Sequence, residues 1–293
     1  MPEATITRRD DSYVDEHGIR IHYSVWAPER PKAVVQLAHG VGEHALRYEH
    51  VGQALAAAGY AVWADDHRGH GRTGHEQHGG VPAKLGKLGP GGLRATVRAL
   101  HRFTAIVREA NPGLPLVLLG HSWGSLMAQM LVNTDSEDYD AAVLTGTALR
   151  TIRHMNGGDL NARHAHLGDT GVEWLSRDPE VHRAFRADPL TFDAKVVERF
   201  GVVDALRLMG RPARDLPNDL PILIMIGGED TLGGEESVAR LADAYVTRSG
   251  LSDVEAIVYP GARHEVFNET NKEQVIGDLV AWLDSRVGQM TRL

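Results

Sequence analysis

Residues 115–129 read PLVLLGHSWGSLMAQ and place a serine between a short apolar run and a helix-like segment. An apolar run of this length that ends in glycine is typical of a strand covered on both faces. The serine lies in Gly120–Gly124, which has the pattern G-x-S-x-G. Between a strand and a helix, this pattern predicts a sharp turn that exposes a nucleophilic hydroxyl. Alternatively, Ser122 only caps the following helix, and this stretch alone leaves both interpretations open.

The same strand-then-helix unit recurs along the chain and predicts the fold class. Further strand-like runs, separated by helix-like segments, occupy residues 32–40, 60–67, 141–146, 221–230 and 254–261. Such alternation predicts an α/β protein with a mostly parallel central sheet and helices on both faces. Residues 12–27 instead alternate around a glycine turn, which predicts an N-terminal hairpin.

The alternation stops near Ala148 and resumes near Pro221. We therefore predict a core of residues 1–147 and 218–293, interrupted by a helical cap at residues 148–217. Apolar residues recur at helical spacing in residues 172–185 and 195–209 of the cap, which predicts helices there, and we expect most of them to form the cap's own core. The first half of the cap is strongly polar, which argues against strong adsorption to a lipid interface.

Composition excludes several classes of function. The chain has 293 residues, no cysteine and a formal net charge of -8. Disulfides, zinc–thiolate sites and a cysteine nucleophile are therefore excluded, and the charge gives no reason to expect nucleic acid as a partner. The N-terminal sequence lacks the apolar segment of a secretory signal, and no run approaches the ~18 apolar residues of a membrane span. We expect a cytoplasmic protein without stable membrane insertion, and the oligomeric state stays open.

Neither a cofactor nor a metal ion is expected. The sequence most suggestive of a metal is HRGHGRTGHEQHGG at residues 67–80, with four histidines. Its glycine content predicts a mobile loop rather than a rigid ligand cage. Four further histidines are expected at the surface of the cap, with a place at the entrance of the site as the alternative for one or two of them: His154, His164, His166 and His182.

A serine nucleophile needs a base, and the base needs an orienting acid. In this architecture the chain order is serine, then acid, then histidine. Asp230 and His264 each follow a predicted strand, so both should lie at the same sheet edge as Ser122. We predict that these three residues form a catalytic triad. Glu229 is the competing acid.

The loop after the first parallel strand, His39–Gly42, matches the HG-type motif that supplies an oxyanion hole. The backbone N–H groups of Val41 and Trp123 are the predicted donors to the developing oxyanion. Four side chains are candidate substrate contacts, and each has a structural alternative: His39, His121, Trp174 and Phe185. The two histidines would otherwise brace the loop and pack under the serine turn, and the two aromatic residues would belong to the cap core.

Five motifs together resemble those of the α/β-hydrolases, specifically the monoacylglycerol lipase and lysophospholipase-like branch: His39–Tyr48, Asp65–Thr73, Gly120–Gly124, Gly227–Leu232 and Tyr259–Glu269. The resemblance covers nearly the whole core and only weakly the cap. It implies the same triad and oxyanion donors. The sequence departs from the family pattern at Trp123, where methionine is common, at Ser125, where glycine is common, and at Gly233–Gly234, where bulkier residues are common.

The expected activity is that of a serine carboxylic-ester hydrolase with a small-molecule ester as its substrate. A monoacylglycerol, a lysophospholipid-like ester or another soluble short- or medium-chain monoester fits the resemblance and the polar cap. The same residues would also serve an amidase or peptidase, a C–C hydrolase or an acyltransferase, because the fold does not separate these reactions. A non-catalytic ligand-binding module is the alternative from another class.

Overall fold

The computed structural model describes residues 6–290, so the ends of the predicted core at residues 1 and 293 lie outside the described part of the chain. The strands of the described part are β1 (Thr7–Val14), β2 (Arg20–Ala27), β3 (Ala33–Ala38), β4 (Tyr60–Asp65), β5 (Leu116–His121), β6 (Ala141–Thr145), β7 (Ile222–Gly227) and β8 (Val254–Tyr259). The helices are α1 (Glu49–Ala57), α2 (Gly71–Gln77), α3 (Gly92–Ala110), α4 (Trp123–Asp135), α5 (Pro179–Ala187), α6 (Val196–Phe200), α7 (Val202–Arg207), α8 (Gly234–Thr247) and α9 (Lys272–Met290).

The strands form a sheet in the order β1-β2-β4-β3-β5-β6-β7-β8. Strands β1 and β2 pair antiparallel, as the predicted hairpin requires, and β2 pairs antiparallel with β4. From β4 to β8 every pairing is parallel. The predicted α/β class with a mostly parallel sheet is therefore confirmed, although β1 begins at Thr7 rather than at Ser12.

The sheet lies between two apolar cores because successive side chains of its buried strands point to opposite faces. In β5, Leu118 packs into a core with residues of α3, α4 and α8, whereas Val117 and Leu119 pack into a core with residues of α1 and α9. Both faces of β5 are thus dry, which explains its uninterrupted apolar sequence.

Parallel strands bring their carboxyl ends to one edge of the sheet. Strand β3 ends at Ala38, β5 at His121, β7 at Gly227 and β8 at Tyr259. The loops that leave these strands carry all the residues that the sequence predicts for the triad and the oxyanion hole.

The chain leaves the sheet after β6 and returns at β7, and α5, α6 and α7 lie in between. The helical spacing predicted for residues 172–185 extends too far, because α5 begins only at Pro179. Asp178 caps it by accepting a hydrogen bond from the Glu180 N–H at 2.9 Å. The pattern of residues 195–209 forms two short helices instead of one, because Gly201 takes a φ of 84° between them. The boundaries of the cap, 148 and 217, stay a proposal.

The expectation that the apolar residues of the cap form its core is only partly confirmed. Trp174 and Phe185 are buried together with Val172 and Leu175. Helix α7, however, exposes Val202, Val203 and Leu206 by 60–63%. The cap is therefore less polar at its surface than the sequence suggests. Within residues 6–290, no helix has the length and apolar character needed to cross a membrane.

The histidine-rich stretch contains a helix and has a buried start, so the expectation of a loop is wrong for residues 71–77. Residues Gly71–Gln77 form α2, and His67 and His70 just before it are buried. The Asp66 carboxylate holds this turn by accepting hydrogen bonds from the backbone N–H of Arg72 at 3.0 Å and of Ala45 at 2.8 Å. The glycines here serve close packing, since a Cβ on Gly74 would lie 2.3 Å from the Gly69 carbonyl oxygen.

Candidate active site

Ser122 lies on a strained turn between β5 and α4. Its φ of 51° and ψ of -123° belong to a region that non-glycine residues rarely adopt. The flanking glycines are required for space: a Cβ on Gly124 would lie 2.1 Å from the Ala38 carbonyl oxygen, and one on Gly120 would lie 2.6 Å from the Gly124 carbonyl oxygen. The turn is fixed by a hydrogen bond from the Ser122 N–H to the Thr145 carbonyl oxygen at 2.9 Å.

The helix-capping interpretation of Ser122 can be tested against this geometry. Ser122 does occupy the N-cap position of α4, yet its hydroxyl makes no capping hydrogen bond to any described residue. The neighbouring hydroxyl is the structural one, since Ser125 Oγ donates to the Ser122 carbonyl oxygen at 2.6 Å. No capping hydrogen bond therefore compensates for the backbone strain at Ser122, which favours a chemical role for the hydroxyl.

Asp230 and His264 are brought together as the sequence predicts. His264 Nδ1 and Asp230 Oδ1 lie 3.0 Å apart, and both side chains are buried. The competing acid, Glu229, turns away: its carboxylate pairs with Arg163 at the surface, and its carbonyl oxygen bonds to His164 Nε2 at 3.0 Å. The geometry therefore selects Asp230 over Glu229 as the partner of His264.

The electrostatics around His264 suit a base. Burial alone would lower the pKa of His264, but the Asp230 carboxylate, with Glu265 and Glu43 behind it, outweighs burial and raises that pKa above its ordinary value. The other ring nitrogen, Nε2, is buried and has no hydrogen-bond partner among the described residues. An imidazole held at Nδ1 and free at Nε2 is arranged to take a proton at Nε2.

The predicted oxyanion donors are free. Among the described residues, neither the Val41 N–H nor the Trp123 N–H has a hydrogen-bond acceptor. The intervening Gly40 lies against the serine turn, because a Cβ on it would come within 2.9 Å of Ser122 Cβ. Glycine at position 40 thus allows the loop after β3 to approach the candidate nucleophile.

Two of the candidate substrate contacts are buried under the site. Both ring nitrogens of His39 bond to backbone: Nδ1 lies 2.7 Å from the Gly40 carbonyl oxygen, and Nε2 accepts from the His67 N–H at 3.0 Å. His121 Nδ1 lies 3.0 Å from Thr145 Oγ1, and burial followed by the nearby His264 charge lowers the pKa of His121 to about 3. These positions favour the bracing alternatives, and substrate contact by either histidine stays a prediction.

The two aromatic candidates occupy different places. The Trp174 ring lies over the imidazole of His264, with ring centroids 4.6 Å apart, and its carbonyl oxygen accepts from the His264 N–H at 3.3 Å. Phe185 lies under the Arg47 guanidinium, 5.0 Å from the ring centroid. Trp174 is therefore the one that borders the site, although contact with substrate stays a prediction for both.

The indole of Trp123 packs in an aromatic cluster with His70 and Phe200, whose own ring centroids lie 6.2 Å apart. Its centroid lies 4.9 Å from that of His70 and 4.8 Å from that of Phe200 in α6. The indole is almost completely buried. The departure from the family pattern at this position therefore fills space between the core and α6.

Sequence reasoning missed the charged residues that support the site, and it placed two histidines wrongly. Glu43 and Glu265 are buried beside it and Arg47 largely so, and all three lie inside motifs that the sequence already singles out. His164 and His182 are buried rather than at the surface, because each bonds to a carbonyl oxygen, at 3.0 Å and 2.7 Å. Charged residues in otherwise apolar motifs were the available signal.

A parallel sheet between two helix layers, with a serine on a strained turn after β5 and an Asp–His pair at the same edge, defines a serine hydrolase of the α/β-hydrolase class. The chain belongs to the Hydrolase_4 family, described as "Serine aminopeptidase, S33", whose sequence profile matches residues 29–271. The predicted resemblance to α/β-hydrolases is thereby confirmed.

Individual proteins agree with this assignment over nearly their full lengths. The monoacylglycerol lipase of Mycolicibacterium smegmatis is 34% identical over 300 residues, which cover 96% of this chain and 99% of the relative. The monoglyceride lipase of Rattus norvegicus is 26% identical, with 98% and 97% covered. A thermostable carboxyl esterase from Bacillus coagulans, solved with glycerol, superimposes with a TM-score of 0.84 at 25% identity, covering 97% of this chain and 100% of the esterase.

Proposed function

We propose that the protein hydrolyses carboxylic esters through Ser122, His264 and Asp230. The observation that carries the proposal is the buried His264–Asp230 pair, with a free Nε2, at the sheet edge where Ser122 sits on a strained turn. Among the described residues, the other histidine–carboxylate pairs all have a histidine that precedes Ser122 in the sequence, whereas this fold requires the order serine, acid, histidine.

In the proposed reaction, Ser122 Oγ attacks the ester carbonyl while His264 Nε2 takes its proton. Asp230 fixes the ring so that Nδ1 carries a proton and Nε2 is the base, and it stabilises the imidazolium that forms. The N–H groups of Val41 and Trp123 donate to the oxyanion, and each such donor supplies about 3 kcal/mol of transition-state stabilisation. Water then hydrolyses the acyl-enzyme with the same histidine as base.

The proposed substrate is a monoacylglycerol or another short- or medium-chain monoester. The argument from a polar cap no longer supports this, because α7 exposes apolar side chains. Support for a monoacylglycerol comes instead from the relatives, of which one is named a monoacylglycerol lipase and another a carboxyl esterase in complex with glycerol. These names do not specify the length of the acyl chain, which the substrate panel measures. A lysophospholipid-like ester has less support, because the relative that points to it, phospholipase YtpA of Bacillus subtilis, is only 22% identical to this chain.

Peptide hydrolysis is the second candidate because the family description names an aminopeptidase. Such an enzyme needs an anionic group to bind the free amino terminus of its substrate. Glu43 is a carboxylate near Ser122, but its oxygens already accept from the Gly40 N–H, Tyr48 Oη and Arg47 Nη1 at 2.5–2.8 Å. A fully engaged carboxylate is a poor anchor for an ammonium group, which favours the ester.

A substrate panel tests this choice. We expect kcat/KM to be much higher for monoacylglycerols and p-nitrophenyl esters than for aminoacyl p-nitroanilides. Within the ester series, short and medium acyl chains should be preferred over long ones. Faster cleavage of anilides with a free amino group would replace the ester proposal by the peptidase, and a preference for insoluble triglyceride would refute the proposed substrate class.

The pH dependence of kcat/KM follows from the raised pKa of His264. The histidine acts as a base only when neutral, so activity should be lost as pH falls through its pKa. Because that pKa is raised, the acid limb of the profile should lie above the ordinary histidine value of about 6.5. Initial rates across the pH range measure it, and an acid limb below that value would contradict the assigned electrostatics.

A further inference from the structure

A row of charges connects the loop after β3, which lies against the Ser122 turn, with the loop that carries His264, and the proposed mechanism does not use it. The row consists of Glu43, Arg47 and Glu265. Glu43 and Glu265 are 2% and 4% exposed, and the side chain of Arg47 is 11% exposed. Glu43 belongs to the loop after β3, and Glu265 directly follows His264. We call these three residues the charge bridge.

At one end, the charge bridge closes the oxyanion loop. Glu43 Oε1 accepts from the Gly40 N–H at 2.5 Å and from Tyr48 Oη at 2.7 Å. The first of these bonds spans the turn that contains Val41, so it fixes the backbone that carries a proposed oxyanion donor. The other oxygen, Oε2, accepts from Arg47 Nη1 at 2.8 Å.

At the other end, the charge bridge holds the loop of the candidate base. Arg47 donates to both oxygens of Glu265, from Nη1 at 2.5 Å and from Nη2 at 2.8 Å. Asn268 Nδ2 donates to the same carboxylate at 2.9 Å. Because the guanidinium is planar, this two-point contact fixes the orientation of the Glu265 carboxylate as well as its distance from Arg47. The residue next to His264 is thus tied to Arg47, 218 positions away in the sequence, and through Glu43 to the oxyanion loop.

Stability alone is a poor reason for such a bridge. Burying charged groups costs several kcal/mol per ion, and apolar replacements of similar volume are often as stable or more stable. Unlike an apolar cluster, a charge bridge fixes the geometry between its two ends. Here those ends are the two loops whose separation sets the oxyanion donor relative to the base.

We propose that Arg47, Glu43 and Glu265 are positioning residues that hold the oxyanion loop and His264 in catalytic register. The proposal rests on the ester-hydrolase function proposed above. A misplacement of about 1 Å between catalytic groups can cost about 100-fold in rate. The charge bridge therefore acts on kcat through the transition state rather than on the ground-state binding of substrate.

The charge bridge also adds to the field at the candidate base. The titratable and charged groups around His264 are Asp230, Glu265, Glu43, Arg47 and His121. Burial alone would raise the pKa of Glu265, but the Arg47 guanidinium holds that pKa down at about 2, so Glu265 is anionic across the working range. Neutralising Glu265 removes one anion that favours the imidazolium, which moves the acid limb of kcat/KM to lower pH.

The test compares Glu265→Gln with Glu269→Gln. Glu269 is a matched control because it lies in the same loop, its side chain is fully buried, and it pairs with one arginine, Arg177 at 2.8 Å. Its Oε1 accepts from the backbone N–H groups of Arg177 at 3.0 Å and of Arg263 at 2.7 Å, and the amide oxygen of a glutamine can still accept both bonds. Among the described residues, Glu269 has no hydrogen bond to the oxyanion loop. We expect Glu265→Gln to lower kcat for a p-nitrophenyl ester about 10- to 100-fold at nearly constant KM, with an acid limb shifted to lower pH. Glu269→Gln should lower the melting temperature by as much as Glu265→Gln does, but its kcat and its acid limb should stay close to those of the wild type.

Equal kcat values and equal acid limbs in the two variants would overturn the charge bridge as a positioning device. If Glu265→Gln does not fold, Arg47→Lys takes its place, because it keeps the charge but loses the two-point contact, and the same loss of kcat is expected. An inactive wild type that cleaves no ester would instead refute the proposed function. An active wild type with two equivalent variants refutes the charge bridge alone.

Discussion

Replacing Ser122 by alanine is expected to lower kcat for ester hydrolysis by about 10⁴-fold or more. The nucleophile is lost, and the remaining histidine and oxyanion donors support only a small residual rate. The melting temperature should hardly change, because the Ser122 hydroxyl makes no capping hydrogen bond among the described residues. Steady-state kinetics with a p-nitrophenyl ester and a thermal melt measure both.

Ser125→Ala is the matched control for this variant. Its hydroxyl is also buried, lies one turn further along α4 and donates to the Ser122 carbonyl oxygen at 2.6 Å. Removing it should cost about 1 kcal/mol of stability and leave most of the activity. If Ser122→Ala kept wild-type kcat, the nucleophile would be another residue, and the strained turn would need a different explanation.

Replacing Asp230 by asparagine is expected to lower kcat by about 10⁴-fold. The amide fills the same space, but it can donate to Nδ1 of His264, which places the ring proton on Nε2 and removes the base. The lost anion also lowers the pKa of His264, so the residual activity should have an acid limb at lower pH. A pH–rate profile of the purified variant shows both effects.

Glu229→Gln is the control for Asp230→Asn, because Glu229 is adjacent in the sequence and pairs with Arg163 at the surface. Its loss should leave kcat close to wild type, since exposed ion pairs contribute little. A large loss in Glu229→Gln together with an active Asp230→Asn would reverse the assignment of the acid.

The fold was predictable from sequence because its signals are local and repeated. Uninterrupted apolar runs such as residues 116–120 have few stable arrangements other than a buried strand, and helical periodicity marks the segments between them. The order of Ser122, Asp230 and His264 at strand ends was sufficient to expect that they meet. Parallel strands leave little freedom in where their following loops lie.

The details that escaped prediction depend on contacts between distant segments. The spacing of residues 195–209 is helical throughout, yet Gly201 adopts a positive φ and divides the segment. Val202 and Val203 look like core residues by type and period, but no described segment covers them. His164 and His182 have polar side chains of a kind usually found at surfaces, and only the carbonyl groups that they meet in the fold explain their burial.

The charge bridge shows the same limit. Its members lie in motifs that the sequence singles out, but pattern reasoning gives no reason for Arg47 to reach Glu265 across 218 positions. Charged residues in a sequence are by default solvated. Only the packing of the loop after β3 against the loop after β8 makes them partners.

The most direct test of the central claim is covalent labelling with a fluorophosphonate, followed by intact mass measurement and peptide mapping. The wild-type protein should gain one adduct per chain, on Ser122, and lose ester hydrolysis in proportion. Ser122→Ala should gain none. Absence of an adduct on the wild type, or an adduct on another serine with loss of activity, would contradict the assignment of Ser122 as the nucleophile.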